Sequence, residues 1–178
     1  MGTIIRVGAA KLAGPQIDLK IFKTINLGTG LKTADDFRKS LRDSGNKVSS
    51  EANGILGNYA FTFTVAVKKI KIDLAIKSVD ELGFKDGATR QRIYGRANEL
   101  GLDLCPAEVG PQLRLQYKDQ PEGERLIVAM NPIADSGGAL ELFLVGRYGS
   151  VLWLYGYYDD PGLVWCAGHR FVFTRRRK

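Results

Sequence analysis

The chain has 178 residues, of which 44% are apolar and 25% charged, and this composition excludes a wholly disordered, collagen-like or low-complexity protein. The length suits one domain, or one domain with a small appended subdomain. The formal net charge is +7, but four of these charges lie in the last four residues, and the rest of the chain has only +3. Charge alone therefore indicates a weak preference for anions and no more.

The chain shows no pattern typical of a membrane anchor or an export signal. Its longest uncharged run, residues 52–67, has 16 residues and includes Asn, Gly and Thr, whereas a transmembrane helix needs about 20 apolar residues. Arg6 and Lys11 interrupt the N-terminal segment before the apolar core of a signal peptide can form. We therefore expect a soluble, cytoplasmic protein that binds no membrane.

The first third of the chain predicts one strand and two short helices. Residues 17–21 alternate apolar and charged side chains, which is typical of a half-buried strand. Thr33 is placed to cap a helix that has Asp36 in its first turn and ends near Gly45. Ser49 or Ser50 can cap a second helix, so that the two helices form a small hairpin.

Two alternating segments follow. Residues 59–67 place Tyr, Phe and Val on one side and Ala and Thr on the other, and residues 70–76 alternate in the opposite phase. Two arrangements account for this change of phase: a hairpin that turns at Lys68 and Lys69, or one long strand with a bulge. Both arrangements predict that residues 59–67 form a strand.

Residues 78–102 predict a short helical turn and then a helix capped by Thr89 and closed by Gly101. Arg90, Arg92 and Arg96 project from this second helix, which suggests a helix-turn-helix that contacts phosphates. An exposed basic face is the more common meaning of such a charge run.

Beyond residue 110 the pattern is strand, turn, strand. The predicted strands are residues 113–117, 126–130, 140–145, 151–158 and 170–174. Short strands at this spacing are typical of an antiparallel meander or a half-barrel. The predicted fold class is therefore α+β, with N-terminal helical segments and a hairpin in residues 1–110 and an antiparallel β region in residues 111–178, together forming one compact unit.

The candidates for catalysis are weak. No nucleotide-binding phosphate loop occurs, and one histidine with two separated cysteines does not make a usual zinc site. Cys105 or Cys166 could act as a nucleophile with His169 as its base, but most lone cysteines are small buried hydrophobic residues. We expect no catalytic site, metal or cofactor.

The aromatic residues near the C-terminus are the most informative feature. Trp153, Tyr155 and Tyr157 share one face of a predicted strand, with Arg147 and Arg170 nearby in the sequence. Two interpretations stay open: the rings belong to the core, or they form a surface on which bases or sugars stack. The basic tail is a further candidate for nucleic-acid contacts, against the simpler interpretation of a solvated end; it consists of Arg175, Arg176, Arg177 and Lys178.

Two segments, LGTGLKTADDFRK at residues 27–39 and LCPAEVGPQLRL at residues 104–115, resemble a family of small uncharacterised bacterial proteins. The resemblance covers most of residues 20–178. Some members are loosely labelled helicases, but this chain contains no Walker-type nucleotide site to support that label. The resemblance implies a bacterial origin and no activity, and no functional residue is transferred from it.

The sequence thus favours a non-enzymatic bacterial binding or interaction module. Its ligand would be nucleic acid, a glycan or another protein, and the pattern does not indicate an oligomeric state. The alternative function is a small enzyme that depends on the Cys and His residues above or on a pair of carboxylates.

Overall fold

A computed structural model describes residues 19–176, and within this range five helices and eleven strands form a mixed α+β fold. The helices are α1 (Ala34–Asp43), α2 (Ser50–Gly57), α3 (Tyr59–Thr62), α4 (Arg90–Glu99) and α5 (Val109–Gln116). The first strands are β1 (Lys23–Leu27), β2 (Lys47–Val48), β3 (Ile70–Ser78), β4 (Ala88–Thr89) and β5 (Leu102–Asp103). The later strands are β6 (Arg125–Val128), β7 (Ile133–Ala134), β8 (Leu140–Tyr148), β9 (Val151–Tyr158), β10 (Val164–Trp165) and β11 (Arg170–Arg175).

One large sheet dominates the described residues. It has nine strands in the order β1-β3-β11-β6-β8-β9-β2, with β5 beside β11 and β7 beside β8, and it curls into a half-barrel. The short strands β4 and β10 pair antiparallel with each other in a separate two-stranded sheet. The continuous apolar run predicted as a strand over residues 126–130 corresponds to β6, which lies in the interior of the sheet between β11 and β8.

The first two predicted helices are confirmed with their caps. The Thr33 hydroxyl accepts from the backbone N–H of Asp36, and the Asp36 carboxylate accepts from the N–H of Thr33, which completes a capping box. Ser49 caps α2 by accepting from the N–H of Ala52. Helix α4 also begins after Thr89 as predicted, although the Thr89 side chain makes no capping bond.

The strand predicted over residues 59–67 is wrong, and with it both the hairpin and the bulge. The Asn58 side chain accepts from the N–H of Ala60 and starts the short helix α3. Phe61 is fully buried, while Tyr59 and Phe63 are 72% and 71% exposed and their rings contact each other one turn apart. The alternation of aromatic and small residues therefore does not mark a strand here. It belongs to a short helix that Phe61 anchors in the core.

The strand predicted over residues 113–117 is also wrong, since this segment lies in α5. Pro111 occupies the first turn of the helix, where its missing N–H removes no helical bond. Gly110 lets the helix approach the sheet, because a Cβ there would lie 2.4 Å from the ring of Phe143. Helix α5 is buried on nearly every side. Its sequence therefore lacks the one-sided spacing of apolar residues by which an amphipathic helix is recognised.

Two further expectations are met only in part. Residues 19–21 lie outside any strand, residues 17–18 lie outside the described range, and the first strand begins at Lys23. The C-terminal strands do include the antiparallel hairpin β8–β9, but β11 runs parallel to β6 and antiparallel to β3. The meander is thus interrupted by a strand that joins the C-terminal region to β3 of the N-terminal region.

Helices lie on both sides of the sheet. On one side, the ring of Phe61 from α3 contacts Phe143 of β8, next to Gly110 of α5. On the other side, the ring of Tyr94 from α4 contacts Phe171 and Phe173 of β11. We call these the α5 side and the α4 side of the sheet.

Candidate functional site

Strand β9 has one buried side and one partly exposed side. Leu154 is fully buried on the α5 side, and a Cβ at Gly156 would lie 2.5 Å from the Cβ of Glu51 in α2. Trp153, Tyr155 and Tyr157 project to the α4 side and are partly exposed. We call these three residues the aromatic row.

The rings of the aromatic row are ordered by their own contacts. Trp153 and Tyr155 are stacked, with centroids 4.9 Å apart and an angle of 10° between the ring planes. Tyr148, on the neighbouring strand and 44% exposed, meets Tyr155 edge-on with centroids 5.9 Å apart. Partial burial, and next the neighbouring Tyr148, raise the pKa of the Tyr155 hydroxyl, which is therefore neutral at physiological pH.

The register of four strands places Gly146 beside Trp153. Across the sheet, Lys47 of β2 pairs with Trp153 of β9, Trp153 with Gly146 of β8, and Gly146 with Arg125 of β6. Directly paired residues project to the same side of a sheet. Gly146 has no side chain of its own and is buried, because the side chains of Leu144 and Tyr148 both lie 3.5 Å from the position that its Cβ would take.

In this register two cations lie on either side of the Trp153–Gly146 pair, and neither has an ion pair with any residue in the described range. Lys47 is exposed at the edge strand β2. Arg125 is exposed on β6, and its guanidinium carbon lies 5.6 Å from the ring centroid of Tyr157. A guanidinium over an aromatic ring keeps its charge available to an anion. We call the aromatic row, Tyr148, Gly146, Lys47 and Arg125 together the aromatic face.

At its far end the aromatic face adjoins an imidazole. The hydroxyl of Tyr157 lies 3.5 Å from Nε2 of His169, and the fully buried ring of Trp165 lies beside both. Burial lowers the pKa of His169, so its ring is neutral at pH 7. The buried Nδ1 of His169 has no hydrogen-bond partner within the described part of the chain.

The two arginines predicted to accompany the rings lie on the other side of the sheet. Arg147 pairs with Leu152 and donates to the carbonyl oxygens of Gly149 and Gln120. Arg170 forms an ion pair with Glu124, with a nitrogen–oxygen distance of 2.8 Å. Nearness in sequence was misleading because successive residues of a strand face opposite sides.

Arg125 and Lys47 are the cations that the sequence analysis missed. Arg125 stands at the start of an apolar run, and nothing local indicates which side of the sheet it faces. Lys47 belongs to a two-residue strand, too short to leave a periodic signal.

The residues of the predicted basic tail differ in their surroundings. Arg176 donates to both carboxylate oxygens of Asp103, which raises the pKa of Arg176 and lowers that of Asp103. Arg175 is half-buried, and Arg177 and Lys178 lie outside the described residues. Arg176 thus already has an anionic partner within the protein.

The predicted sulfur and imidazole groups are not brought together by any side-chain hydrogen bond in residues 19–176. The buried Cys105 thiol donates to the carbonyl of Val172 at 3.4 Å and lies 3.5 Å from the Thr174 hydroxyl. Burial raises the pKa of this thiol to about 12, far from that of a reactive thiolate. Cys166 is exposed, and its contact with His169 is a backbone hydrogen bond.

Residues 19–176 contain no group of three or more His, Cys, Asp and Glu side chains arranged to hold a metal ion. No helix in this range is long and apolar enough to cross a bilayer.

Comparison of the chain with protein-family models, with curated proteins and with solved structures gave no match. The aromatic face therefore has to be interpreted from its own geometry.

Proposed function

We propose that this protein is a binding module without enzymatic activity, and that its aromatic face binds single-stranded nucleic acid. One observation supports this above all: the partly exposed stack of Trp153 and Tyr155 lies, by strand register, between Lys47 and Arg125, which have no ion pair within residues 19–176. Proteins that bind single strands combine aromatic rings for the bases with cations for the backbone phosphates.

The shape of the aromatic face suits a flat ligand ring. An incoming base can contact the exposed part of the Trp153–Tyr155 stack, next to the 44% exposed ring of Tyr148. Stacking on aromatic rings contributes about 1–3 kcal/mol per base and tolerates any base. We therefore expect weak sequence preference.

Charge favours nucleic acid over a neutral glycan as the ligand. Lys47 and Arg125 flank the rings without a carboxylate partner in residues 19–176, and phosphates at the edge of a stacked base would provide such partners. A neutral sugar would stack on the same rings but leave both charges unused.

The alternative of a thiol enzyme has less support. A catalytic cysteine needs a neighbouring base or cation that stabilises its thiolate. Cys105 is buried among neutral hydrogen-bond partners, and the ring of His169 contacts Tyr157 and Trp165. Bacterial origin and a cytoplasmic location stay predictions.

The test is a titration of the whole chain with short single-stranded oligonucleotides, followed by tryptophan fluorescence from about 50 to about 200 mM salt. Two phosphate contacts predict that the logarithm of the binding constant falls with the logarithm of salt concentration with a slope of about −1.4. Saturable quenching with this slope would support the proposal. An unchanged spectrum at the lowest salt, or equal quenching by a neutral oligosaccharide, would contradict it.

A further inference from the structure

A second concave site lies at the edge of the sheet, where α1, β2 and α2 meet. This cleft has a volume of about 470 Å³, within the usual range for small-ligand sites. Its lining residues include three cations and no carboxylate; they are Arg38, Arg42, Gly45, Asn46, Lys47, Val48, Ser49, Ser50 and Asn53. We call this the basic cleft.

The cations of the basic cleft differ in whether other groups of the protein already bind them. Arg38 is held in place by Asp35 and by the side chain and backbone carbonyl of Asn53. Arg42 and Lys47 are exposed and have no ion pair with any residue between 19 and 176. The cleft therefore offers two free positive charges beside one fixed guanidinium.

Asn46 supplies the observation that points to a ligand. It lines the cleft, is only 8% exposed, and its Oδ1 has no hydrogen-bond partner within the described residues. Buried polar side-chain atoms are nearly always hydrogen-bonded, and leaving one unpaired costs about 1–3 kcal/mol. Since Oδ1 can only accept, the group that pairs with it has to provide a donor, as the O–H of a monoprotonated phosphate does.

The backbone at the start of α2 is not the binding element. The N–H of Ala52 already donates to Ser49, and the Glu51 carboxylate accepts from its own N–H and from the hydroxyls of Ser49 and Ser50, which lowers the pKa of Glu51. Recognition of a ligand therefore depends on the side chains. Along the chain, Asp43 next to Arg42 and Glu51 next to Ser50 are the nearest carboxylates, and Arg42 contributes after Lys39 to lowering the pKa of Asp43.

We propose that the basic cleft binds a phosphate group, either as free phosphate or as the terminal phosphate of a nucleic-acid strand. Such a group fits two exposed cations, a fixed guanidinium that orients oxygens, and an amide oxygen that can accept from its O–H. Lys47 lines the cleft and is also the register partner of Trp153, so the cleft adjoins the aromatic face. The proposal holds whether or not that face binds bases.

Calorimetry of the full chain with inorganic phosphate, in a phosphate-free buffer at constant ionic strength, tests the cleft. We expect saturable one-site binding that Arg42→Gln weakens about tenfold, because a charge-assisted hydrogen bond is lost. Asn46→Asp puts a carboxylate against the anion and should abolish binding. Lys85→Gln, which removes an exposed lysine paired with Asp80 elsewhere, should leave phosphate binding unchanged.

Paired oligonucleotides with a 5′-phosphate or a 5′-hydroxyl distinguish the two sources of phosphate. Tighter binding of the phosphorylated strand, lost in Arg42→Gln, assigns the cleft to a strand terminus. Equal binding of both strands, with inorganic phosphate still bound, assigns it to free phosphate. The proposal is overturned if neither inorganic phosphate nor the terminal phosphate shows binding that depends on Arg42, an exposed side chain whose loss does not threaten folding.

Discussion

The indole of Trp153 lies against the ring of Tyr155, with centroids 4.9 Å apart and ring planes only 10° from parallel. Tyr148 supports the pair edge-on from the neighbouring strand. Such ring pairs stabilise each other by about 0.5–1.5 kcal/mol beyond the area they bury. The aromatic face is therefore ordered before any ligand arrives, which lowers the entropic cost of binding.

Trp153→Ala is expected to weaken the binding of single-stranded oligonucleotides by about 1–3 kcal/mol, because it removes one ring of the partly exposed Trp153–Tyr155 stack. Fluorescence anisotropy of a labelled oligonucleotide measures the change without relying on tryptophan emission. Tyr59→Ala is the matched control, since it removes an exposed ring from α3. Equal affinities for the wild type and Trp153→Ala would refute the role of the indole.

Arg125→Gln is expected to make the slope of log binding constant against log salt less steep by about 0.7, since one phosphate contact on a single strand is lost. Arg96→Gln removes an exposed arginine that pairs with Glu99 on α4, and it should leave the slope unchanged. If both variants alter the slope equally, Arg125 is not a specific phosphate contact.

The raised pKa of Glu141 predicts that the free energy of unfolding depends measurably on pH. Burial, and next the carboxylates of Asp135, Glu51 and Asp159, raise the pKa of Glu141 from 4.5 to about 7. Between these values the folded protein holds a proton that the unfolded chain releases, so the free energy of unfolding falls as pH rises through this window. His169 acts in the opposite direction, because its pKa is lowered.

A comparison of the wild type with Glu141→Gln isolates the contribution of this carboxyl. Urea unfolding at pH 5 and pH 8 should show the variant gaining about 1–2 kcal/mol relative to the wild type at the higher pH. The amide has no charge to bury, so its contribution is the same at both values. A difference between the two proteins that does not change with pH would show that Glu141 titrates normally.

Glu108 is expected to be essential for folding rather than for binding. Its fully buried carboxylate accepts from the N–H of Gly28 at 2.8 Å and from the N–H of Ala66 at 2.7 Å, one on each oxygen. Glu108→Gln turns one acceptor into a donor that faces an N–H, at a cost of about 1–3 kcal/mol. Thermal unfolding measures this loss, and Glu99→Gln on the exposed end of α4 is the control.

The two thiols are expected to react very differently with iodoacetamide at neutral pH. Cys166 is exposed and should be labelled, whereas Cys105 is buried with a pKa of about 12 and should be labelled only after denaturation. Peptide mass analysis identifies the modified residue. Rapid labelling of Cys105 in the native protein would revive the hypothesis of a catalytic thiol.

Helices with strong local signals were predictable from the sequence. Thr33 with Asp36, and Ser49 before α2, satisfy backbone N–H groups within a few residues, so no distant contact is needed to start these helices. The strands β8 and β9 were predictable for a similar reason, since long apolar runs separated by Gly149 can pair through a short turn.

Segments near residues 59–67 and 113–117 were not predictable, because their patterns fit two structures. Alternation over five to nine residues is typical of a strand. The same sequence pattern also occurs in the short helix α3, which Phe61 anchors, and in α5, which is buried on nearly every side. Packing decided between them: Phe61 contacts Phe37 and Phe143, and Gly110 allows α5 to touch the sheet.

By itself, the sequence determined the α+β class, the capped helices, and the fact that Trp153, Tyr155 and Tyr157 share one side of a strand, because these follow from interactions over a few residues. The tertiary structure alone decided which cations accompany the rings. Strand register across four segments placed Lys47 and Arg125 beside Trp153 and turned Arg147 and Arg170 away. Register depends on long-range packing of whole strands, which no local pattern encodes.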